Sequence, residues 1–261
     1  MREHLLELFK YRELLYMITY RDIRVRYKQS VMGFLWAVLM PILIVLSGVV
    51  VRFAYALAAH SVLSSADVAV VAVKSLPWAF LVTTIRFACL SLINNKELVT
   101  KIYFPREVFP IAAMFAGLFD LLVASTALAA LLVVLRVGWS LYLLWVPVLL
   151  VATALLGAGI GMIVAAASLY FRDVKFVVEV FLTFGIFFTP VFYDVSMFGS
   201  RGKWLLLNPM SPLLESFGAV IARHSAPDTA WLSYSLICAL VVVTGGYWFF
   251  KHLEPGFAES I

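Results

Sequence analysis

Charge is scarce in this 261-residue chain: Asp, Glu, Lys and Arg together make up 13% of it, against 64% apolar residues. A soluble domain has more polar surface than that to cover, so the composition is that of an integral membrane protein. Cysteine is nearly absent. Cys89 and Cys238 lie far apart within apolar runs, read as small buried apolar residues, and say little about redox compartment. His4, His60, His224 and His252 are scattered, so no metal site is indicated. No G-x-x-x-x-G-K-[ST] occurs; "GSRGKW" has the wrong spacing, and there is neither a nucleophile elbow nor H-E-x-x-H. The chain is therefore not expected to hydrolyse ATP itself. Its opening "MREHLLELFKYRELL" mixes acids and bases where a secretory signal would be apolar.

What the sequence does contain is long apolar runs, at Gly33–Val51, Leu76–Ile93, Val108–Leu135, Ser140–Phe171, Phe176–Tyr193 and Thr229–Phe250. A bilayer core needs about 20 apolar residues at ~1.5 Å each. The expected fold is an all-α integral membrane protein with six transmembrane helices in one domain. Before it, in residues 1–32, Leu5, Leu8, Phe9, Leu15 and Tyr16 fall on one helical side, an amphipathic interfacial helix. Spans one to five occupy 33–193, with 58–73 read as an outer loop. In 194–228, "SPLLESFGAVIA" is too short to span and reads as re-entrant or interfacial, an outer gate segment. Span six is 229–250 and the tail 251–261. In span four, Gly157, Gly161 and Ala165 recur at four-residue spacing, which lets helices approach closely.

The net charge of +5 is unevenly placed. With the N-terminus cytoplasmic, the cytoplasmic pieces hold thirteen of the twenty Lys and Arg, the outer pieces six, and Arg86 lies inside a span. That is the positive-inside pattern, not a nucleic-acid footprint. Arg21, Arg24, Arg26 and Lys28 crowd the approach to span one and are the candidate cytoplasmic mouth.

Charges inside the bilayer are costly unless paired. Arg86 in span two and Asp120 in span three belong to one hairpin, at heights that differ by roughly 6 Å. They read as a structural ion pair, as a cation facing a polar pathway, or as both. Candidate path residues are Arg86, Arg52, Trp36, Trp78, Phe184, Phe188 and Tyr193; aromatics at such positions also serve as lipid contact and core. Glu179 is one turn from Lys175 and is expected to pair with it.

The blocks "RDIRVRYKQSVMGFLWAVLMP", "LPWAFL", "LVTKIYFPREVFP", "YFRDVKFVVEV", "FFTPVFY" and "LNPMSPL" together resemble the membrane subunits of type-2 ABC exporters for polysaccharides and polyol phosphates, such as O-antigen, capsule and teichoic-acid permeases. The resemblance implies two copies of this chain with two copies of a separate ATPase, which carries ATP and Mg, while this chain has no cofactor. It implies a bacterial cytoplasmic membrane with both termini cytoplasmic, and a basic edge that meets lipid head groups and a pyrophosphate-linked glycan. It makes "NNKELVTKIYFPRE" the coupling helix. There Leu98, Ile102, Tyr103 and Phe104 offer an apolar anchor to the ATPase, and Glu97, Lys101, Arg106 and Glu107 a polar rim. Rival readings are a permease for another lipid or drug, a membrane enzyme of glycan assembly, and a membrane scaffold.

Overall fold

The computed structural model describes residues 10–28, 33, 35–58, 60, 62–101 and 104–257, and these are helical nearly throughout. Leu5, Leu8, Phe9, Ile102 and Tyr103, named above, lie outside the described residues. The helices are α1 (Arg12–Tyr27), α2 (Leu35–Ala58), α3 (Ser65–Ser91), α4 (Lys96–Lys101), α5 (Val108–Val134), α6 (Val146–Tyr170), α7 (Val174–Gly185), α8 (Met210–Phe217) and α9 (Thr229–Leu253). Among the described residues five helical stretches are long and apolar enough to cross a membrane: Val38–Ala58, Ser65–Ser91, Val108–Val134, Leu141–Tyr170 and Thr229–Gly256.

Two expected boundaries moved. The presumed outer loop at 58–73 is largely the first part of α3. A reciprocal cap starts that helix early: the Asp67 amide donates to Ser64 Oγ while the Ser64 amide donates to Asp67 Oδ2. The small, mixed residues of 58–73 read as a loop, yet Lys74 just beyond them is fully buried and paired within the helix bundle. The run expected as span five is the 12-residue α7 followed by turns through Tyr193. At ~1.5 Å per residue α7 is roughly 18 Å long, short of a bilayer core. Pro190 has no N–H to continue the ladder, and Thr189 donates its hydroxyl back to Gly185 O at 2.8 Å.

α3 is the central helix, touching α2, α5, α6, α7 and α8. Leu213, Leu214 and Phe217 of α8 are buried beside Trp78, Leu81, Leu149 and Leu156, so that short helix is enclosed by the bundle. Gly157 and Gly161 lie against α3, where a methyl group at Gly161 would sit 2.9 Å from Ala88 Cβ. The closest approach is on the other face of α6. A Cβ on Gly159 would meet the Val242 carbonyl oxygen at 2.6 Å, and one on Gly246 would run into the Gly159 oxygen, so α6 and α9 cross with backbone on backbone.

α1 buries Ile18 and half-buries Leu14 and Leu15 in a second core, with Phe104, Phe109, Phe250 and Phe257. Tyr16, expected on the same side as Leu15, is exposed. The chain thus has two packed ends. One gathers α1, α4 and the close of α9, the other α8 and the opening of α3.

Candidate functional site

At the α1 end, the helix turns its last residues inward. Arg26 Nη1 donates to Asp120 Oδ2 at 2.6 Å, and the Tyr27 hydroxyl donates to Asp120 Oδ1 at 2.5 Å. The Arg26 guanidinium also lies 3.7 Å above the Phe87 ring, a cation–π contact. Burial and the carboxylate beside it push the Tyr27 phenol well above its ordinary range. These groups wall a cavity of about 450 Å³ that also meets Trp36 and Arg86.

The expected Arg86–Asp120 pair is not formed. Arg86 instead makes a two-pronged bond to Glu179 of α7, Nε to Oε1 at 2.7 Å and Nη2 to Oε2 at 2.9 Å. Matching heights in a hairpin say nothing about direction around the helix: Arg86 turns to α7, and Asp120 to the incoming α1. Glu179 is correspondingly not paired with Lys175, whose ammonium lies 4.8 Å from the Phe176 ring. Arg86 and Glu179 side chains are 44% and 47% exposed, so this pair looks outward from the subunit. Around it Phe176, Phe181, Phe184 and Phe188 are also exposed.

Trp36 and Arg86 thus share one cavity, while Phe184 and Phe188 lie on the outward aromatic face. Trp78 is buried in the core, and Tyr193 is held by its hydroxyl on Phe187 O at 2.8 Å. Of the basic edge, Arg24 and Lys28 are exposed, Arg21 bonds to Asp22 at 2.8 Å, and Arg26 is withdrawn to Asp120.

Arg52 belongs elsewhere. It is 4% exposed and donates to Asp194 Oδ2 at 2.5 Å, with Asp67 3.5 Å away. Lys74, wholly buried, donates to Asp194 Oδ1 at 2.6 Å, Glu215 Oε1 at 2.8 Å and Tyr193 O at 3.2 Å. Arg223 reaches both Asp194 and Glu215. Arg52, Lys74 and Arg223 therefore face Asp67, Asp194 and Glu215 in a balanced cluster joining α2, α3 and α8 with Asp194, which precedes the helical stretch Val195–Leu207, and Arg223, which ends the turn after α8. Burial would raise the Asp194 carboxyl, but Lys74 and Arg52 beside it hold it well below the ordinary carboxylate range. Sequence reasoning missed this cluster. The available signal was Glu215, a lone acid in the apolar dozen "SPLLESFGAVIA".

The segment likened to a coupling helix is divided. Glu97, Thr100 and Lys101 of α4 are exposed. Phe104 is not: it is buried edge-to-face on Phe109, with ring centroids 5.5 Å apart. Glu107 is buried and accepts from Lys251 Nζ at 2.7 Å, while Arg106 Nη1 donates to the Glu254 carbonyl at 2.6 Å. Phe104 and Glu107 thus fasten this segment to the end of α9 and are corrected from contact residues to internal supports. An aromatic ring beside a loop reads as exposed until the helix that covers it is known.

Among the described residues, five helices long and apolar enough to cross a membrane, with charges paired within the bundle and a largely apolar cavity into which Arg26, Arg86 and Asp120 reach, are the features of a multi-pass membrane protein. Comparison with known proteins narrows the class. Residues 13–221 match the family described as ABC-2 type transporter, and the chain belongs to that family. It is similar to the O-antigen export system permease protein RfbA of Myxococcus xanthus, 28% identical over 266 residues that cover 98% of each chain. It is also similar to two proteins of that name from Klebsiella pneumoniae, 25% and 24% identical over 95% of both lengths.

Proposed function

We propose that this chain is the permease subunit of an ABC exporter that moves a lipid-linked polysaccharide of the O-antigen kind outward across a bacterial cytoplasmic membrane. The similarity to O-antigen export permeases extends along nearly the whole chain, which supports the substrate class. The geometric observation that carries the reading is the outward Arg86–Glu179 pair. An ion pair left half exposed part-way along a membrane helix is costly against lipid, by several kcal/mol per unpaired charge. Facing an aqueous path or a second copy of the subunit, it is tolerated. In this reading two copies meet about the aromatic face of α7, which with its following turns completes a sixth crossing. α4 presents Glu97, Thr100 and Lys101 to a separate ATPase, with both termini on that side.

The test is genetic and biochemical together. In a strain lacking its own O-antigen permease but carrying the cognate ATPase, the chain should restore surface polysaccharide and co-purify with that ATPase, and the purified chain alone should not hydrolyse ATP. Hydrolysis by the isolated chain, or restored polysaccharide without any ATPase, would overturn the reading.

A further inference from the structure

At the end of the bundle away from α1, a cavity of about 280 Å³ opens between α8, the start of α9 and the stretch Val195–Leu207. Glu215, Arg223, Asp228 and Trp231 line it, with Leu206 and Pro212 among its apolar wall. That volume lies just below the ~300–1,000 Å³ of drug-sized ligand pockets, and suits a small polar group. The charges of the adjoining cluster cancel: Arg52, Lys74 and Arg223 offset Asp67, Asp194 and Glu215. Asp228 comes in addition. Its Oδ1 caps α9 by accepting from the Ala230 and Trp231 amides, and no cation is paired with it among the described residues. The positive end of the α9 dipole offsets about half of that charge, so the pocket keeps a negative bias.

Glu215 adds acceptor capacity. Its Oε1 takes hydrogen bonds from Lys74 and the Val195 amide, while its Oε2 meets only Arg223 among the described residues, at 3.5 Å. Two carboxylates with oxygens to spare beside an indole ring suit an ammonium group, which donates to the oxygens and is drawn to the ring face. Arg223 is 39% exposed and spends Nη1 on Glu215 and Nη2 on Asp194, so its remaining N–H donors can take an anion at the same time. A metal ion suits the pocket less well. An arginine lines the wall, and among the described residues no group of three or more His, Cys, Asp or Glu could hold a metal.

We propose that this pocket binds the phosphoethanolamine headgroup of a membrane phospholipid, its ammonium between Glu215, Asp228 and Trp231 and its phosphate on Arg223. The two charges of that headgroup lie a few ångströms apart, as Arg223 and Glu215 do. Room for the acyl chains follows down α9. On the side of Trp231, Cys238, Val241 and Gly245 recur at helical spacing; Val241 is exposed, and a Cβ on Gly245 would have nothing within 4 Å. In the orientation of the function proposed above this end faces outward, so the lipid would come from the outer leaflet.

The probe is phosphatidylethanolamine bearing a diazirine near the glycerol end of one acyl chain, added to the assembled transporter in detergent. Photolabelling should fall on 204–207 and on 231–241 of α9. Unlabelled phosphatidylethanolamine should compete. Phosphatidylglycerol, with no ammonium, and phosphatidylcholine, whose ammonium has no N–H, should compete about tenfold less, the effect of losing a charge-assisted hydrogen bond. Asp228→Asn keeps the helix cap, because asparagine caps as well as aspartate, and should lower labelling by a similar factor. Ser233→Ala, exposed on another side of α9, should not. Labelling centred elsewhere, unchanged labelling of Asp228→Asn, or equal competition by phosphatidylglycerol, phosphatidylcholine or magnesium ion would overturn the site. Free phosphoethanolamine competing as well as the lipid would overturn the lipid as its source. The map on the unmutated protein decides the matter even if Asp228→Asn does not fold. A chain that restores surface polysaccharide yet is not labelled there refutes the pocket alone. One that is labelled there without restoring export refutes the proposed function alone.

Discussion

Asp194→Asn removes the anion that Arg52, Lys74 and Arg223 share. The amide that replaces it presents N–H groups to the guanidinium and ammonium groups around it and leaves one buried positive charge in excess. Breaking one partner of a buried ionic group typically costs about 3–5 kcal/mol. The lower end applies here, because Lys74 keeps Glu215 at 2.8 Å and Arg52 keeps Asp67 at 3.5 Å. For a chain of this size about 3 kcal/mol corresponds to a melting point lower by roughly 6–12 °C. Tryptophan-fluorescence melting in one detergent measures it. Asp67→Asn is the control: its carboxylate is 37% exposed and only 3.5 Å from Arg52, and should cost about 0–1 kcal/mol. Adding Lys74→Met to Asp194→Asn restores charge balance and should recover part of the loss. If Asp194→Asn melts with Asp67→Asn, or the double variant melts lower than Asp194→Asn alone, the cluster does not stabilise the fold as reasoned.

Acid should act on the same cluster late. Because the Asp194 carboxyl is held low in the folded chain, its contribution is complete above the unfolded value of about 3.9 and is lost only as pH falls through the lower folded value; the melting gap between wild type and Asp194→Asn should stay constant from pH 7 to about pH 4 and close below that. Gly159→Ala should cost at least about 1–3 kcal/mol by overpacking against the α9 backbone, whereas Gly245→Ala, with nothing within 4 Å of the new methyl, should be neutral or stabilising in the same melting assay. Arg86→Leu should leave the melting point nearly unchanged, since exposed pairs are worth about 0–1 kcal/mol, yet lower export of polysaccharide in the complementation strain; a large loss of stability with intact export would contradict an outward role. Charge reversal of Glu97 and Lys101 together should weaken co-purification of the ATPase at unchanged stability, while Phe104→Ala should destabilise by about 3–5 kcal/mol before it affects that contact.

Helix content was legible because apolar length survives any packing arrangement: five of the six apolar runs lie in helices long enough to cross a membrane. The row Gly157, Gly161, Ala165 was legible for the same reason, since small residues at four-residue spacing mark a close contact whichever helix supplies it. Pairings were not legible. Arg86 and Asp120 could be placed by height, but partner choice depends on the direction each faces and on α1 returning to pack against α5. The partners of Lys74 were not legible either, because the acids that neutralise it, Asp194 and Glu215, lie more than a hundred residues away in sequence. Phe104 and Glu107 were assigned to a partner's surface because the chain's own end, Lys251 to Phe257, had no marked role to play.

The glycine crossing of α6 and α9 bears on how such a subunit can work. Where two backbones touch with no side chain between them, there is nothing to re-pack, so neither sliding nor rolling has an intermediate position to occupy. Any transport cycle must carry these two helices together as a single beam. Through Lys251 and Glu107 the beam is fastened to the start of α5, so a displacement of Glu107 is handed directly to the end of α9. Flexure then has to occur in the sparsely packed α2 and the short α7. Disulfide cross-links that lock α6 to α9 should consequently leave export intact, and links that lock α2 to α5 should stop it; arrest by the first kind would show that the beam bends.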